Sequence, residues 1–182
     1  MEYEELKIPG CYLIKPNVFE DKRGRFVKTY HEEAIKELGI EFDFKEEYYS
    51  FSKKGVIRGM HFQTPPCDHV KLVCCPKGAV FDSFVDLRKG SPTYLHTASL
   101  ELTESNCNVL ILDKGIAHGF CALTDDAMMI YKTSTVYSPD NDSGIAWDSC
   151  GINWPDSKQI ELISDRDNGF VKLTDFDSPF SY

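Results

Sequence analysis

Short apolar runs separated by turn residues fill most of the chain and predict β-strands. Val56–Gln63 ends at Thr64-Pro65-Pro66, and Ala79–Leu87 ends just before Gly90-Ser91-Pro92. Because such runs recur at regular spacing with almost no helical pattern between them, they favour a β-sandwich or barrel over βαβ units. The predicted strands are Cys11–Ile14, Arg25–Tyr30, Tyr48–Ser52, Val56–Gln63, His69–Cys75, Ala79–Leu87, Leu95–Leu102, Asn108–Leu112, Gly119–Leu123 and Met128–Val136.

One helix interrupts this pattern. Residues His31–Leu38 have an apolar face with helical spacing, and Gly39 follows them as a stop signal. From Ser138 to Pro155 the sequence is typical of a loop, and the polar tail Gln159–Tyr182 is expected to be a short helical or irregular arm. Since no repeat or low-complexity tract divides the chain, we expect one domain over residues 1–182, with 156–182 as a C-terminal arm.

The composition is that of an ordinary globular protein with an acidic balance. Of the 182 residues, 42% are hydrophobic and 27% are charged, which excludes disorder as the default state. Lysine and arginine number 20 against 29 aspartates and glutamates, a net charge of −9. This charge disfavours nucleic acid and anionic membranes as partners, although a few clustered arginines can still hold a phosphate.

The lack of a recognisable targeting signal and the pattern of cysteines predict a cytoplasmic protein. No apolar run approaches the roughly 18 residues of a membrane span, and the start, MEYEELKIPG, lacks the basic and apolar regions of a signal peptide. The seven cysteines are odd in number and none are spaced C-x-x-C. A disulfide framework or a zinc ribbon is therefore not expected, and reduced thiols are.

The strand Val56–Gln63 carries the first candidate for chemistry. In a regular strand His61 and Gln63 share one face with Ile57 and Gly59. A metal-binding H-x-H pair fails because position 63 is glutamine, and a core histidine with a satisfied hydrogen bond is the simpler interpretation of His61. His61 and His118 could still meet in space.

Two charged residues interrupt otherwise apolar strands. Lys71 shares a face with His69 and points away from Leu72, and a solvent-facing lysine is the commoner case. Asp82 shares a face of its strand with Asp86. A carboxylate on that face must either be paired or be exposed to water. Alternation alone does not decide between these possibilities.

Three more residues have both a structural and a functional interpretation. His118 precedes Gly119, which permits a close backbone approach. Tyr131 lies in an apolar strand, where a buried tyrosine usually anchors its hydroxyl on a neighbour. Asp167 lies in the polar tail, where a carboxylate is usually solvated. Taken singly, each residue favours the structural interpretation.

Nine short motifs occur in order over roughly residues 8–168. They are D-x-R-G-x-F at Asp21–Phe26, GVIRGMHFQ at Gly55–Gln63, KLV at Lys71–Val73, VFDSFVDLRKGSPT at Val80–Thr93, AHGF at Ala117–Phe120, YKTSTVYSP at Tyr131–Pro139, GIAWD at Gly144–Asp148, GINWP at Gly151–Pro155 and SDRD at Ser164–Asp167. With these motifs the chain resembles the dTDP-4-dehydrorhamnose 3,5-epimerase family. The resemblance implies a mainly β, cupin-type jelly-roll barrel with a few short helices, a homodimer, and neither metal nor cofactor.

The resemblance also implies a reaction and the residues that perform it. The substrate would be a nucleotide-linked 4-keto-6-deoxy sugar, whose C4 ketone acidifies the hydrogens at C3 and C5. Epimerisation needs a base, a group that stabilises the enolate, and an acid. By resemblance, His61 is the base and Asp167 its carboxylate partner, Lys71 is the cation near the C4 oxygen, and Tyr131 is the acid on the opposite face.

Substrate-binding residues carry over in the same way. Arg23 and Arg58 match arginines for the diphosphate, with Arg23 reaching the site from a partner subunit. His118 matches a sugar or phosphate contact, and Tyr137 matches the aromatic residue that stacks on the base. Further candidates at matching positions are Gln63, Asp82, Asp142 and Arg166.

Two segments depart from the family pattern and leave the base open. Lys28 stands where the family typically has glutamate, and Glu46, Glu47 and Tyr48 stand where it typically has Gln-Asp-Asn. These positions help to hold the thymidine end in the family, so we count them as substrate-binding candidates. Thymine, cytosine, guanine and uracil all remain possible bases.

Other functions are also compatible with such a sequence. The nearest is an epimerase that acts at C3 alone or C5 alone, on a CDP-, GDP- or UDP-linked sugar. A 3,4-ketoisomerase would move the carbonyl of the same class of substrate. A metal-dependent cupin lacks its ligand set here, and a non-catalytic jelly-roll sugar-binding protein would not need a base opposite an acid.

Overall fold

The computed structural model describes residues 1–39, 42–155 and 162–182, and strands dominate them. No helix in these three ranges has the length and hydropathy needed to span a membrane. A 3₁₀ turn, Leu173–Asp175, follows the last helix. In chain order the helices and strands are β1 (Glu2–Glu5), β2 (Tyr12–Lys15), β3 (Val18–Asp21), β4 (Gly24–Val27), α1 (Glu32–Lys36), β5 (Glu46–Ser52), β6 (Ile57–Gln63), β7 (Lys71–Lys77), β8 (Ala79–Asp86), β9 (Thr97–Thr103), β10 (Val109–Leu112), β11 (Ile116–Ala122), β12 (Ala127–Thr133), β13 (Asp142–Gly144) and α2 (Asp165–Asn168).

Two antiparallel sheets lie face to face. The larger has the strand order β1-β2-β10-β7-β12-β5 and the smaller has the order β13-β6-β11-β8-β9. Val73 and Leu110 of the larger sheet pack against Phe84 and Phe120 of the smaller. Neighbours far apart in sequence, such as β2 beside β10, are typical of a jelly roll rather than a meander. The prediction of a mainly β, barrel-like fold is confirmed.

Part of the outer face of each sheet is covered as well. Ile35 of α1 packs with Leu72 and Ile111 on the back of the larger sheet. Phe180, near the C-terminus, packs with Leu87 on the back of the smaller sheet. Part of the expected arm, residues 156–161, lies outside the described residues. Where a face is covered, a polar side chain on it must find a partner or a cavity.

Several predicted boundaries differ from those in the structure. The predicted strand Arg25–Tyr30 is replaced by a hairpin of β3 and β4, and the helix predicted over His31–Leu38 is the shorter α1. The segment predicted as a loop after Ser138 contains β13, whose Asp142 pairs with Gln63 of β6. This short strand depends on its pairing partner and not on local alternation, so its own sequence does not show it.

A bulge in β6 changes which residues face the interior. His61 pairs with His118 of β11, whereas Arg58 pairs with Phe120. Three positions on β6 therefore oppose two on β11, which reverses the alternation between Arg58 and His61. The expectation that Ile57 shares a face with His61 is wrong for this reason, since Ile57 packs in the outer cluster.

The bulge relies on a close contact between two glycines. A Cβ atom on Gly59, which has a φ of +151°, would lie 2.5 Å from Cα of Gly119. We expect Gly59→Ala to lower the free energy of unfolding by about 3 kcal/mol, because backbone strain and overpacking add at this point. Urea denaturation followed by circular dichroism would measure this loss.

Gly24→Ala is the matched control for this substitution. Gly24 also has a positive φ, +122°, but nothing lies within 4 Å of the added carbon. We expect it to cost about 1 kcal/mol, the contribution of φ alone. Equal losses in the two variants would contradict the proposed clash between Gly59 and Gly119.

Candidate active site

A cavity of about 370 Å³ opens between the inner faces of the two sheets. Its floor is buried, with Lys71 and His118 each less than a tenth exposed. Its rim is more accessible and includes Tyr137, which is 58% exposed. The sequence-predicted residues that line it are Glu46, Tyr48, Arg58, His61, Gln63, Lys71, His118, Tyr131, Tyr137, Asp142 and Arg166.

His61 and Asp167 form a hydrogen-bonded pair on the wall of the smaller sheet. His61 Nε2 lies 2.8 Å from Asp167 Oδ1, and the Gly59 N–H donates to Asp167 Oδ2 at 3.2 Å. Burial acts to raise the pKa of Asp167, but the interaction with His61 and the hydrogen bonds to Gly59 and Ser164 together outweigh burial and hold that pKa below its usual value. The Asp167 carboxylate is thus ready to orient His61 and stabilise its protonated form.

The position of Asp167 results from a short capped helix. The hydroxyl of Ser164 accepts a hydrogen bond from the Asp167 N–H at 3.1 Å, which is a helix N-cap contact for α2. The ring of Phe170, just beyond α2, meets the His61 ring edge to face at 5.7 Å. The tail therefore supplies a buried carboxylate that contacts His61 of the cavity wall, and the expectation of a solvated Asp167 is wrong.

Asp82 and His118 form a second pair behind the floor. His118 Nε2 lies 2.8 Å from Asp82 Oδ2, and both side chains are buried. Burial raises the pKa of Asp82 and lowers the pKa of His118, and the attraction between the partners offsets only part of each effect. Asp82 does not line the cavity, and its Oδ1 is buried with no hydrogen-bond partner among the described residues.

Lys71 places a buried amine in the middle of the floor. Burial lowers the pKa of Lys71 to about 8, and the carboxylates of Asp82 and Asp142 oppose that shift. Within the described residues the Lys71 amine forms neither a hydrogen bond nor an ion pair, so it is available to a ligand oxygen. The solvent-facing interpretation of Lys71 is wrong, because its face of β7 lines the cavity.

Tyr131 lies on the opposite wall, in β12 of the larger sheet. Its hydroxyl is 3.5 Å from Ser50 Oγ, and its ring stacks on Tyr48 with centroids 4.8 Å apart. Burial raises the pKa of Tyr131 well above its ordinary value and raises the pKa of Tyr48 to about 12. Both phenols therefore keep their protons at neutral pH, and Tyr131 can act only as a proton donor.

The rim at the β13 end is a network of polar contacts. Gln63 Oε1 accepts from the Ser138 N–H at 2.6 Å, and Glu46 Oε2 accepts from the Tyr137 N–H at 2.6 Å. The Arg166 guanidinium lies 2.9 Å and 2.8 Å from the two carboxylate oxygens of Asp142. These contacts hold the exposed Tyr137 at the mouth of the cavity.

Arg58 lies at the other end of the rim. Its Nε donates to Ser52 Oγ at 3.0 Å, and its guanidinium donates to the Phe51 carbonyl at 3.2 Å. Among the described residues, the remaining N–H groups of the guanidinium have no partner, so they can bind an anion such as phosphate.

Asp82 and Asp167 contact lining residues without lining the cavity themselves, and three further sequence-predicted residues lie away from it within this chain. Arg23 is at the turn of the β3–β4 hairpin, where its guanidinium binds Asp21 at 2.5 Å. Lys28 follows β4 and does not line the cavity, and Glu47 pairs instead with Lys132.

The cavity also includes residues that the sequence analysis did not assign to a site. Alternation along β5 and β12 could have found several of them, since Ser50 has the parity of Tyr48 and Thr133 that of Tyr131. His69 shares its face with Lys71, and burial lowers its pKa to about 3, so it is a neutral imidazole. The additional lining residues are Ser50, Phe62, His69, Phe120, Thr133 and Thr135.

Metal-ligating side chains do not cluster in the described ranges. No group of three or more histidine, cysteine, aspartate or glutamate side chains in residues 1–39, 42–155 and 162–182 is placed to hold a metal ion. Independently of this, the cavity lining places His61 and Tyr131, which can both transfer protons, on opposite walls beside the buried amine of Lys71.

Comparison with known proteins gives a consistent result. The model of the dTDP-4-dehydrorhamnose 3,5-epimerase family matches residues 5–175. The dTDP-4-dehydrorhamnose 3,5-epimerase of Shigella flexneri is 39% identical over 180 residues, covering 97% of this chain and 98% of that protein. The one from Methanothermobacter thermautotrophicus is 39% identical over 169 residues, covering 91% of each.

Solved structures agree with this sequence comparison. A dTDP-6-deoxy-D-glucose-3,5-epimerase from Legionella pneumophila, in complex with dTDP-4-keto-L-rhamnose, superposes with a TM-score of 0.94 at 32% identity, over 100% of this chain and 98% of that one. A 3′-monoepimerase from Streptomyces bikiniensis in complex with dTDP-quinovose gives 0.87 at 31% identity, over 93% and 86%. The expectation of a cupin-type jelly roll is confirmed by these likenesses.

Proposed function

Because this chain belongs to the dTDP-4-dehydrorhamnose 3,5-epimerase family, we propose that it epimerises C3, C5 or both in a nucleoside-diphosphate-linked 4-keto-6-deoxy sugar. It is an isomerase by family. Relatives named for dTDP-linked substrates support a sugar of the dTDP-4-dehydro-6-deoxyglucose type, with CDP, GDP and UDP as the alternatives to dTDP. The proposed reaction inverts a carbon next to the C4 ketone through an enolate.

One observation carries the proposal, which is the placement of a base and an acid on opposite walls. His61 and its partner Asp167 are on the smaller sheet, whereas Tyr131 is on the larger one. The buried amine of Lys71 lies on the floor that both walls share. Inversion needs a proton to leave from one face of the sugar ring and to return on the other, which two opposite walls permit.

The residues divide the reaction as follows. His61 takes the C–H proton, and the electron pair of that bond becomes the enolate double bond while the C4 oxygen gains the negative charge. The Lys71 ammonium stabilises that oxygen, as a preorganised cation does at a developing anion. Tyr131 then gives its proton to the carbon from the opposite face.

Substrate binding is proposed from the rim and the hairpin. Arg58 holds the diphosphate with His118 below it, and Tyr137 stacks on the base. The β3–β4 hairpin exposes Phe19 and Phe26, each 62% accessible, which supports a homodimer in which a partner supplies its Arg23. The odd number of cysteines and the lack of a C-x-x-C spacing support a reducing compartment such as the cytoplasm.

Proton NMR in D₂O tests the function directly. With a dTDP-linked 4-keto-6-deoxyglucose and its CDP, GDP and UDP counterparts, we expect loss of the C3 or C5 proton signals with at least one nucleotide. Each such loss reports enolate formation at that carbon. Loss at one position alone supports a single-site epimerase. A folded protein that binds these sugars but exchanges neither position would contradict the proposed function.

A further inference from the structure

We propose that Glu46 selects a nucleobase with an exocyclic amino group, such as cytosine or guanine, over uracil or thymine. This inference deepens the proposed function and rests on it, because it assumes that the site holds a nucleoside diphosphate. It concerns the end of the cavity rim at which Glu46 binds the N–H of Tyr137.

The position of Glu46 points to the nucleotide and not to the reacting sugar. The proton-transferring groups lie at or beside the buried floor, whereas Tyr137, whose N–H binds Glu46, is 58% exposed at the mouth of the cavity. A sugar that reaches the floor leaves its nucleotide along the rim. An exposed aromatic ring at that rim is a platform on which any nucleobase can stack.

The carboxylate of Glu46 has one oxygen engaged and one free. Oε2 accepts the Tyr137 N–H at 2.6 Å, a contact that fixes the orientation of the group. Among the described residues nothing donates to Oε1. A carboxylate accepts hydrogen bonds and does not donate them, so a ligand group that lies against Oε1 must be an N–H or O–H donor.

The charge of Glu46 is also uncompensated within the described residues. The other carboxylate that lines the cavity, Asp142, is neutralised through both oxygens by Arg166. A free negative charge repels a diphosphate, and Arg58 is anchored to Ser52 at the opposite end of β5. Glu46 therefore suits the uncharged base and not the phosphates.

The chemistry of the bases then decides between them. Cytosine N4 and guanine N2 carry amino groups, and acidic side chains accept from such donors in base recognition. Uracil and thymine offer one N3–H between two carbonyl oxygens, which a carboxylate repels. A single free carboxylate oxygen thus favours an amino-bearing base.

Binding of nucleoside diphosphates tests the inference without requiring catalysis. Titration calorimetry with CDP, GDP, ADP, UDP and dTDP is expected to show at least one amino-bearing nucleotide binding tenfold or more tightly than UDP and dTDP. CDP against UDP is the sharpest pair, since the two bases differ at C4 and its neighbouring N3. The identity of the tightest amino-bearing ligand separates cytosine, guanine and adenine.

Glu46→Gln should reduce this preference tenfold or more, because an amide offers a donor to the carbonyl of uracil as well as an acceptor. The matched control Glu101→Gln removes the same charge from an exposed strand position and should leave all affinities unchanged. Tighter binding of UDP or dTDP by the unaltered protein, or the same preference in Glu46→Gln, would overturn the inference. Absence of deuterium exchange with bound 4-keto sugars would instead overturn the proposed function and leave the affinity ratios valid.

Discussion

Replacing His61 with alanine is expected to lower kcat/KM about 10³-fold and to stop deuterium exchange at C3 and C5 together. The variant removes the proposed base but leaves Arg58, Lys71 and Tyr131 in place. Binding of a nucleoside diphosphate should therefore change little, which calorimetry would show. A loss confined to kcat, with affinity preserved, is the result that a base and not a binding residue produces.

Two further variants make this result interpretable. His96→Ala removes an exposed histidine far from the cavity lining and should leave the rate unchanged. His61→Gln keeps a side-chain donor for Asp167 and guards against misfolding of the alanine variant, yet it cannot take a proton at neutral pH. Exchange within tenfold of the unaltered rate in either His61 variant would remove His61 from the role of base.

On the inner face of the larger sheet, alternation in the sequence correctly indicates which side chains share a side. Along β12 and the residues after it, Tyr131 and Thr133 both point into the cavity, as a period of two requires. The same rule places His69 with Lys71 on β7. What alternation could not supply was the environment of that face, because it identifies which residues share a side and not what covers the side.

The bulge on β6 shows where a local rule fails. Arg58 and His61 are three positions apart, so strict alternation puts them on opposite faces, yet both line the cavity. The extra residue is set by the close approach of Gly59 to Gly119, a contact between strands 60 positions apart in sequence. No window of sequence around His61 contains that information.

Asp167 and Arg23 are two residues that only the family resemblance assigned to the site. Asp167 reaches His61 because α2, with its Ser164 cap, packs beside β6, and nothing in the polar tail specifies this docking. Arg23 lies on a hairpin away from the cavity of its own chain, so its assignment stays a prediction that depends on a partner subunit. The motifs supplied both residues because they carry information about a whole fold.

Lys71→Met is expected to lower kcat about 10²- to 10³-fold, the usual cost of removing one preorganised stabiliser of a developing oxyanion. The pH profile tests the charge itself. Since burial lowers the pKa of Lys71 to about 8, its ammonium is present below that pH and is lost above it. The kcat/KM of the unaltered enzyme should therefore fall about tenfold per pH unit above pH 8.

The Lys71→Arg variant tests whether the fall in kcat/KM above pH 8, the basic limb of the pH profile, comes from Lys71 or from another group. Arginine stays charged, so the fall above pH 8 should disappear in that variant even if its overall rate is lower. Tyr131 does not produce the limb, because burial moves its pKa upwards, away from this range. Lys114→Met, at an exposed position, is the control and should keep the unaltered profile. A limb near pH 8 that persists in Lys71→Arg would contradict the assignment.

Protein stability gives an independent test of the role of Lys71, because Lys71→Met should lower activity but raise stability. The pKa of Lys71 is lowered from 10.5 in an unperturbed lysine to about 8 in the folded chain, so the unfolded chain binds more protons between these values. Burying the ammonium thus costs stability at neutral pH, and the cost fades as the pH rises from 8 towards 10.5. Lys71→Met should melt at a higher temperature than the unaltered protein at pH 7, by about 2–4 °C for each kcal/mol recovered. The difference should shrink at pH 10. If Lys71 is retained for its charge, Lys71→Met should be slower than the unaltered enzyme and more stable at pH 7. A less stable Lys71→Met variant would instead show that Lys71 contributes to packing.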